Sequence, residues 1–152
     1  DDLIREDVLP FTPTIMRYKT QADAGSLSNT PPCYGIYMCG KVFQWLKGLG
    51  GLEAMQKLNE EKAAILYDYL DQSKLFSGTA KKEFRSLMNV PFVTGNPELD
   101  AQFIAEAKAA GIENIKGHRS VGGMRASIYN AMPYEGAIAL AEFMEKFRKE
   151  NA

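Results

Sequence analysis

With 152 residues the chain is long enough for one domain with a real core, or for one domain plus part of another. Its 45% hydrophobic and 24% charged content is ordinary for a soluble globular protein, and a net charge of −1 leaves no global basic field for nucleic acid. No apolar run approaches the length of a membrane span, no polybasic segment points to an anionic membrane, and no charged-then-apolar signal peptide opens the sequence.

Taken in order, residues 1–20 alternate charge, proline and short apolar runs, with Pro10 and Pro13 breaking any long helix. From Gln21 to Pro32 the composition turns small and polar, which predicts a loop. In it Asn29 and Thr30 stand before two prolines as turn and cap residues with free donors, and a helix-start loop accounts for them without any ligand. Residues 34–47 are apolar on nearly every side (Tyr34, Ile36, Tyr37, Met38, Val42, Phe43, Trp45, Leu46). A helix of that kind belongs in a large core or an interface, so this segment expects structure to cover it. Cys33 and Cys39 fall on different faces of such a helix and have too few neighbouring ligands for zinc, so no disulfide and no metal is expected. A reducing cytoplasm is the default compartment.

After a break at Gly48–Gly51, Leu52, Met55, Leu58, Lys62, Leu66 and Tyr69 recur at three-and-four spacing, predicting an amphipathic helix over 52–71. Residues 74–82 read as a polar connection. Phe84, Ser86, Met88, Val90 and Phe92 then alternate as in a strand, with Pro91 placing it at a sheet edge or near its own end. Asn96-Pro97-Glu98 is a strong helix start, with Leu99, Phe103, Ala107 and Ala110 as its buried stripe and Gly111 as its stop. Pro133-Tyr134-Glu135 opens a last helix, with Ile138, Ala141, Met144 and Phe147 facing inward. From residue 48 the order is helix, strand, helix, strand, strand, helix. That is an α+β or α/β unit of two layers with a small sheet.

Between the last two helices lies the segment with the most chemistry. Glu113–Lys116 reads as a short strand, and Met124, Ala126 and Ile128 alternate with Arg125, Ser127 and Tyr129 as a half-buried one. Gly122-Gly123 offers positive φ, so the two runs are expected to form a hairpin or tight corner. Around it gather His118, which is the only histidine, Arg119 and Arg125. Arginine presents a planar fork of donors suited to phosphate or carboxylate, and a histidine adds a further donor. The pattern suggests recognition of a small, doubly anionic ligand. A solvated hairpin with incidental charge carries the same residues.

A self-sufficient active site is missing. No serine or cysteine nucleophile has a histidine base near it in sequence, no glycine-rich phosphate cradle of the Walker or dinucleotide type occurs, and the carboxylates are scattered.

Four stretches, taken together and in order, go beyond pattern: Asn29–Pro32, Trp45–Lys47, Arg85–Phe92 and Lys116–Pro133. They resemble the phosphoserine aminotransferase family, pyridoxal-phosphate transaminases of fold type I. The resemblance covers essentially the whole chain. It implies a homodimeric enzyme of serine biosynthesis that interconverts 3-phosphohydroxypyruvate plus glutamate with phosphoserine plus 2-oxoglutarate. Bacterial members also serve the equivalent step of pyridoxine synthesis.

Carried over residue by residue, His118 and Arg119 match the pair that holds the substrate phosphate from the neighbouring subunit. Arg125 matches the arginine on the α-carboxylate. Asn29 and Thr30 match the loop that contacts the cofactor phosphate across the dimer interface. The resemblance also places residues 1–47 at the end of the large cofactor domain and 48–152 as the small C-terminal domain. One departure is large. The family's Schiff-base lysine, the aspartate at the pyridine nitrogen and the aromatic stacked on the ring would all lie upstream, and Lys41, Lys47 and Lys116 do not sit in the lysine motif. The chain opens without methionine, so a C-terminal fragment, inactive by itself, is expected. The competing expectation is a free-standing, non-catalytic domain that binds a phosphorylated metabolite or a partner subunit.

Overall fold

The computed structural model describes residues 2–151. The chain divides into two units, Asp1–Gly48 and Leu49–Ala152.

In the first unit a 3-10 turn, Thr14–Met16, starts directly after Pro13, and α1 follows over Tyr18–Asp23. The expected loop therefore begins later than Gln21, after the single helical turn and a half of α1. The long helix α2 runs Cys33–Gly48, with Pro32 closing its first turn through the Ile36 amide (3.1 Å). None of these three elements has a buried residue. Tyr34, Phe43 and Trp45 are exposed, as are both free cysteines.

The second unit has a core. Helix α3 spans Gly51–Gln72, β1 Ser77–Gly78, β2 Asn89–Val93, α4 Pro97–Ala109, β3 Met124–Ser127 and α5 Tyr134–Glu150. The three strands form an antiparallel sheet in the order β1-β2-β3, which makes the unit α+β. One sheet face, with Val90, Phe92, Met124 and Ala126, is buried against the helices. At its centre Phe103 of α4 packs edge-on to Phe76, Phe92 and Phe147, with ring centroids 5.1, 5.9 and 5.1 Å away. The other face carries Asn89, Pro91, Arg125 and Ser127, paired across the strands as Asn89 with Ser127 and Pro91 with Arg125.

Several expectations change. Pro91 lies in the central strand, not at an edge. Its tolerance follows from register: the Ile128 amide donates to the Met88 carbonyl, so alternation turns the main chain of Pro91 away from β3. There it faces the end of the two-residue β1, where only its carbonyl is used, by the Thr79 amide (3.2 Å). Strand β2 is also shorter than the alternation, because Lys82–Phe84 forms a 3-10 turn with Phe84 exposed. The strand expected over 113–116 reduces to a single bridge, Lys116 with Met124. On the helices Met55, Lys62, Leu66, Met144 and Phe147 are buried as expected, but the buried stripe is wider than the spacing and excludes some expected positions. Asn59, Ala63, Tyr67 and Leu70 are buried on α3 while Leu52 is exposed, and Ala137 and Leu140 are buried on α5 while Ile138 is exposed. On α4 Phe103 and Ala107 are buried and Ala110 is exposed. Its start is as expected: Asn96 Oδ1 accepts from the Glu98 amide at 2.9 Å, with Pro97 in the first helical position.

Candidate anion-binding site

The loop between α4 and β3 is closed by backbone. The Gly117 amide donates to Gly123 O (2.8 Å), the Arg125 amide to Ile115 O (2.7 Å), and the Val121 and Gly122 amides both to His118 O (2.9 and 2.8 Å). Glycine is required at two of its positions. A Cβ on Gly117 would run into the Gly122 carbonyl. One on Gly123, whose φ is +62°, would lie 2.6 Å from Val93 Cγ1 and 2.8 Å from Phe92 O. The glycine pair thus lets the loop lie flat on the end of β2 and turn its tip, His118–Val121, outward.

His118 and Arg119 are both exposed on that tip. The Ser120 amide donates to His118 Nδ1 (3.3 Å) and Ser120 Oγ lies 2.7 Å from the same nitrogen. With Nδ1 accepting, a neutral ring carries its proton on Nε2, which is then a donor for a ligand. His118, Arg119, Lys116 and the glycines form one wall of a pocket of about 330 Å³, and Pro97, Asp100, Ala101 and Ile104 of α4 form the other. Asp100 would repel an anion. Its carboxylate is already engaged by the Thr94 amide (2.8 Å) and hydroxyl (2.7 Å), so the donor side of this pocket is the loop rim. Sequence reading named His118 and Arg119 but neither Lys116 nor Asp100 as pocket residues; α4 and the loop meet only in the fold.

Arg125 does not line that pocket. It projects from the open face of the sheet, where its cross-strand neighbour is Pro91. Its Nε is buried and has no hydrogen-bond partner, and among the described residues no ion pair includes Arg125 or Arg119. The contrast with Arg85 is informative. That arginine lies in a bidentate pair with Asp71 and stacks over the Tyr67 ring at 4.5 Å, an arrangement that explains its presence structurally. Among the described residues nothing does the same for Arg125. Arg85 Nε is likewise buried without a partner, so what sets Arg125 apart is a guanidinium with no ion pair among the described residues, which on an open face has the chemistry to receive a carboxylate.

Asn29 and Thr30 occupy the loop between α1 and α2, in the other unit. Both are exposed; among the described residues their one side-chain bond is Asn29 Nδ2 to Thr30 O at 3.4 Å, and none engages the Thr30 hydroxyl.

Residues 11–140 match the family described as Aminotransferase class-V. The chain belongs to the class-V aminotransferase family. It is 53% identical to a phosphoserine aminotransferase of Streptococcus suis over 99% of its own length, and 54% identical to that of Haemophilus influenzae over 98%. In both cases it spans 42% of the relative's length. Among solved structures, the phosphoserine aminotransferase of Bacillus circulans subsp. alkalophilus superposes with a TM-score of 0.88 at 43% identity, over 99% of this chain and 42% of that one. A pyridoxal-phosphate-bound phosphoserine aminotransferase from Trichomonas vaginalis gives 0.81 at 39%, over 91% and 40%. The fold of this chain is thus shared with part of those transaminases.

Proposed function

We propose that this chain is the C-terminal part of a pyridoxal-phosphate-dependent phosphoserine aminotransferase and supplies its anion recognition. The reaction is 3-phosphohydroxypyruvate plus glutamate to phosphoserine plus 2-oxoglutarate, a step of serine biosynthesis. The observation that carries this reading is Arg125: a partly buried arginine, in no ion pair among the described residues, on a face next to a loop that displays His118 and Arg119.

Each residue has a role that its surroundings support. Arg125 receives the α-carboxylate that all four substrates share, through the fork geometry of guanidinium and carboxylate. His118 donates through Nε2 and Arg119 through its guanidinium to the phosphate oxygens, which requires no protonation of the imidazole. Asn29 and Thr30 would hold the cofactor phosphate; exposed, neutral and with the Thr30 hydroxyl engaged by none of the described residues, they fit that task. When bound, pyridoxal phosphate supplies the electron sink that makes amino-group transfer feasible. Residues 1–47 belong in this account to the large cofactor domain and 48–152 to the small domain. The phosphate and cofactor contacts are made across a homodimer interface, in the cytoplasm, where the two free, exposed cysteines stay reduced. Among the described residues no helix is long and apolar enough to cross a membrane.

The test uses the full-length protein that carries this chain. Arg125→Ala lowers kcat/KM for glutamate and phosphoserine alike by about a hundredfold, the loss expected of a charge-assisted pair. Activity within about twofold of wild type toward both substrates would overturn the reading.

A further inference from the structure

One of the fully buried side chains of the second unit is a cation. Lys62, on α3, has 0% exposure, and its Nζ donates to Tyr129 O (2.9 Å), Met132 O (3.1 Å) and Ile128 O (3.2 Å). Three protons meet three carbonyls, so the ammonium is satisfied without a carboxylate, and among the described residues none pairs with it. Burial lowers its pKa below the usual lysine value, a cost that an apolar side chain of the same length would not carry. One turn earlier Asn59, also buried, donates from Nδ2 to Asn130 Oδ1 (2.8 Å). Both residues therefore grip one segment, 128–132, which has no regular structure to hold it.

That segment is the direct continuation of β3. It is also fastened on the far side of the sheet: Asn89 Nδ2 donates to the Tyr129 hydroxyl (3.2 Å), and Ser127 Oγ donates to Asn89 Oδ1 (3.2 Å). These bonds lie on the face of Arg125, two residue pairs along the strands from it. Arg125 itself has no bond on Nε to direct its guanidinium, so its aim depends on the strand beneath it.

Resting on the reading of Arg125 as the carboxylate receptor, we propose that Lys62 is a positioning residue for it. By clamping the carbonyls of Ile128, Tyr129 and Met132, Lys62 fixes the exit of β3 and hence the direction of the Arg125 side chain. It touches neither substrate nor cofactor.

A double-mutant cycle in the full-length enzyme tests this. Lys62→Met keeps length and apolar volume and removes the three donors. In the wild-type background it raises KM for glutamate and lowers kcat/KM about tenfold, with kcat and the absorbance of the bound cofactor little changed. In an Arg125→Ala background the same substitution has no further effect on kcat/KM. A similar loss in both backgrounds, or no loss in the wild type, would overturn the proposal and leave Arg125 in its role. If Arg125→Ala alone costs nothing, the functional reading itself has failed. Should Lys62→Met not accumulate as folded protein, Lys62→Gln, which retains two donors, enters the same cycle. Its expected loss is about threefold, again absent without the Arg125 guanidinium.

Discussion

Residues 1–48 and residues 49–152 contain apolar side chains of the same kinds but dispose of them differently. In the second unit α3, α4 and α5 close over one face of a small sheet, and three phenylalanines pack edge-on around Phe103, which has no accessible surface left. In the first unit α2 is as apolar, yet no residue of it is buried. An amphipathic helix needs only a neighbouring layer, whereas a helix apolar on all sides needs cover on all sides. The comparison teaches where the positioning power of this chain resides. The groups we propose as anion receptors, Arg125 on β3 and His118 on its glycine-closed loop, are attached to the unit with a core. Asn29 and Thr30 stand on the unit whose apolar helix has no cover of its own.

The largest effect that sharpens this contrast is on stability. Phe103→Ala in this chain removes the hub of the aromatic cluster and costs about 3–5 kcal/mol by chemical denaturation, whereas Tyr34→Ala on α2, 78% exposed, stays within about 0.5 kcal/mol. Equal costs would show that α2 is packed and break the comparison.

A smaller effect probes the loop. Gly123→Ala places a methyl against Val93 and the Phe92 carbonyl at a φ of +62°, and is expected to destabilise by about 1–3 kcal/mol. The same substitution at Gly122, where nothing lies within 4 Å of the added carbon, costs less, although its φ is also positive. Urea midpoints of the two variants decide the order; the reverse order would mean that the loop does not lie on β2.

How much of this was legible in the sequence follows from the range of the interactions. The three helices of the second unit announce themselves by periodicity, and Asn96-Pro97 marks the start of α4, because these signals are local. Strand β1 has two residues and no pattern to find. Pro91 in a central strand contradicts the usual rule. It becomes acceptable only through the register with Ile128 and the early end of β1, which depend on pairings tens of residues apart. His118, Arg119 and Arg125 stood out as an anion-binding set, but their separation into a loop pocket and an open sheet face did not. Lys62 illustrates the boundary well. Its place on the inward stripe of α3 is visible in the spacing, while the three carbonyls that explain a buried lysine are contributed 66–70 residues later.

The central claim is that the Gly117–Gly123 loop recognises a phosphate and β3 a carboxylate, each separately. The most direct measurement is the pair of specificity constants of His118→Ala, in the full-length enzyme, for phosphoserine and for glutamate. Loss of the Nε2 donor lowers kcat/KM for phosphoserine on the order of tenfold to a hundredfold and leaves that for glutamate within about twofold. Equal losses for the two substrates would contradict the assignment of the loop to phosphate.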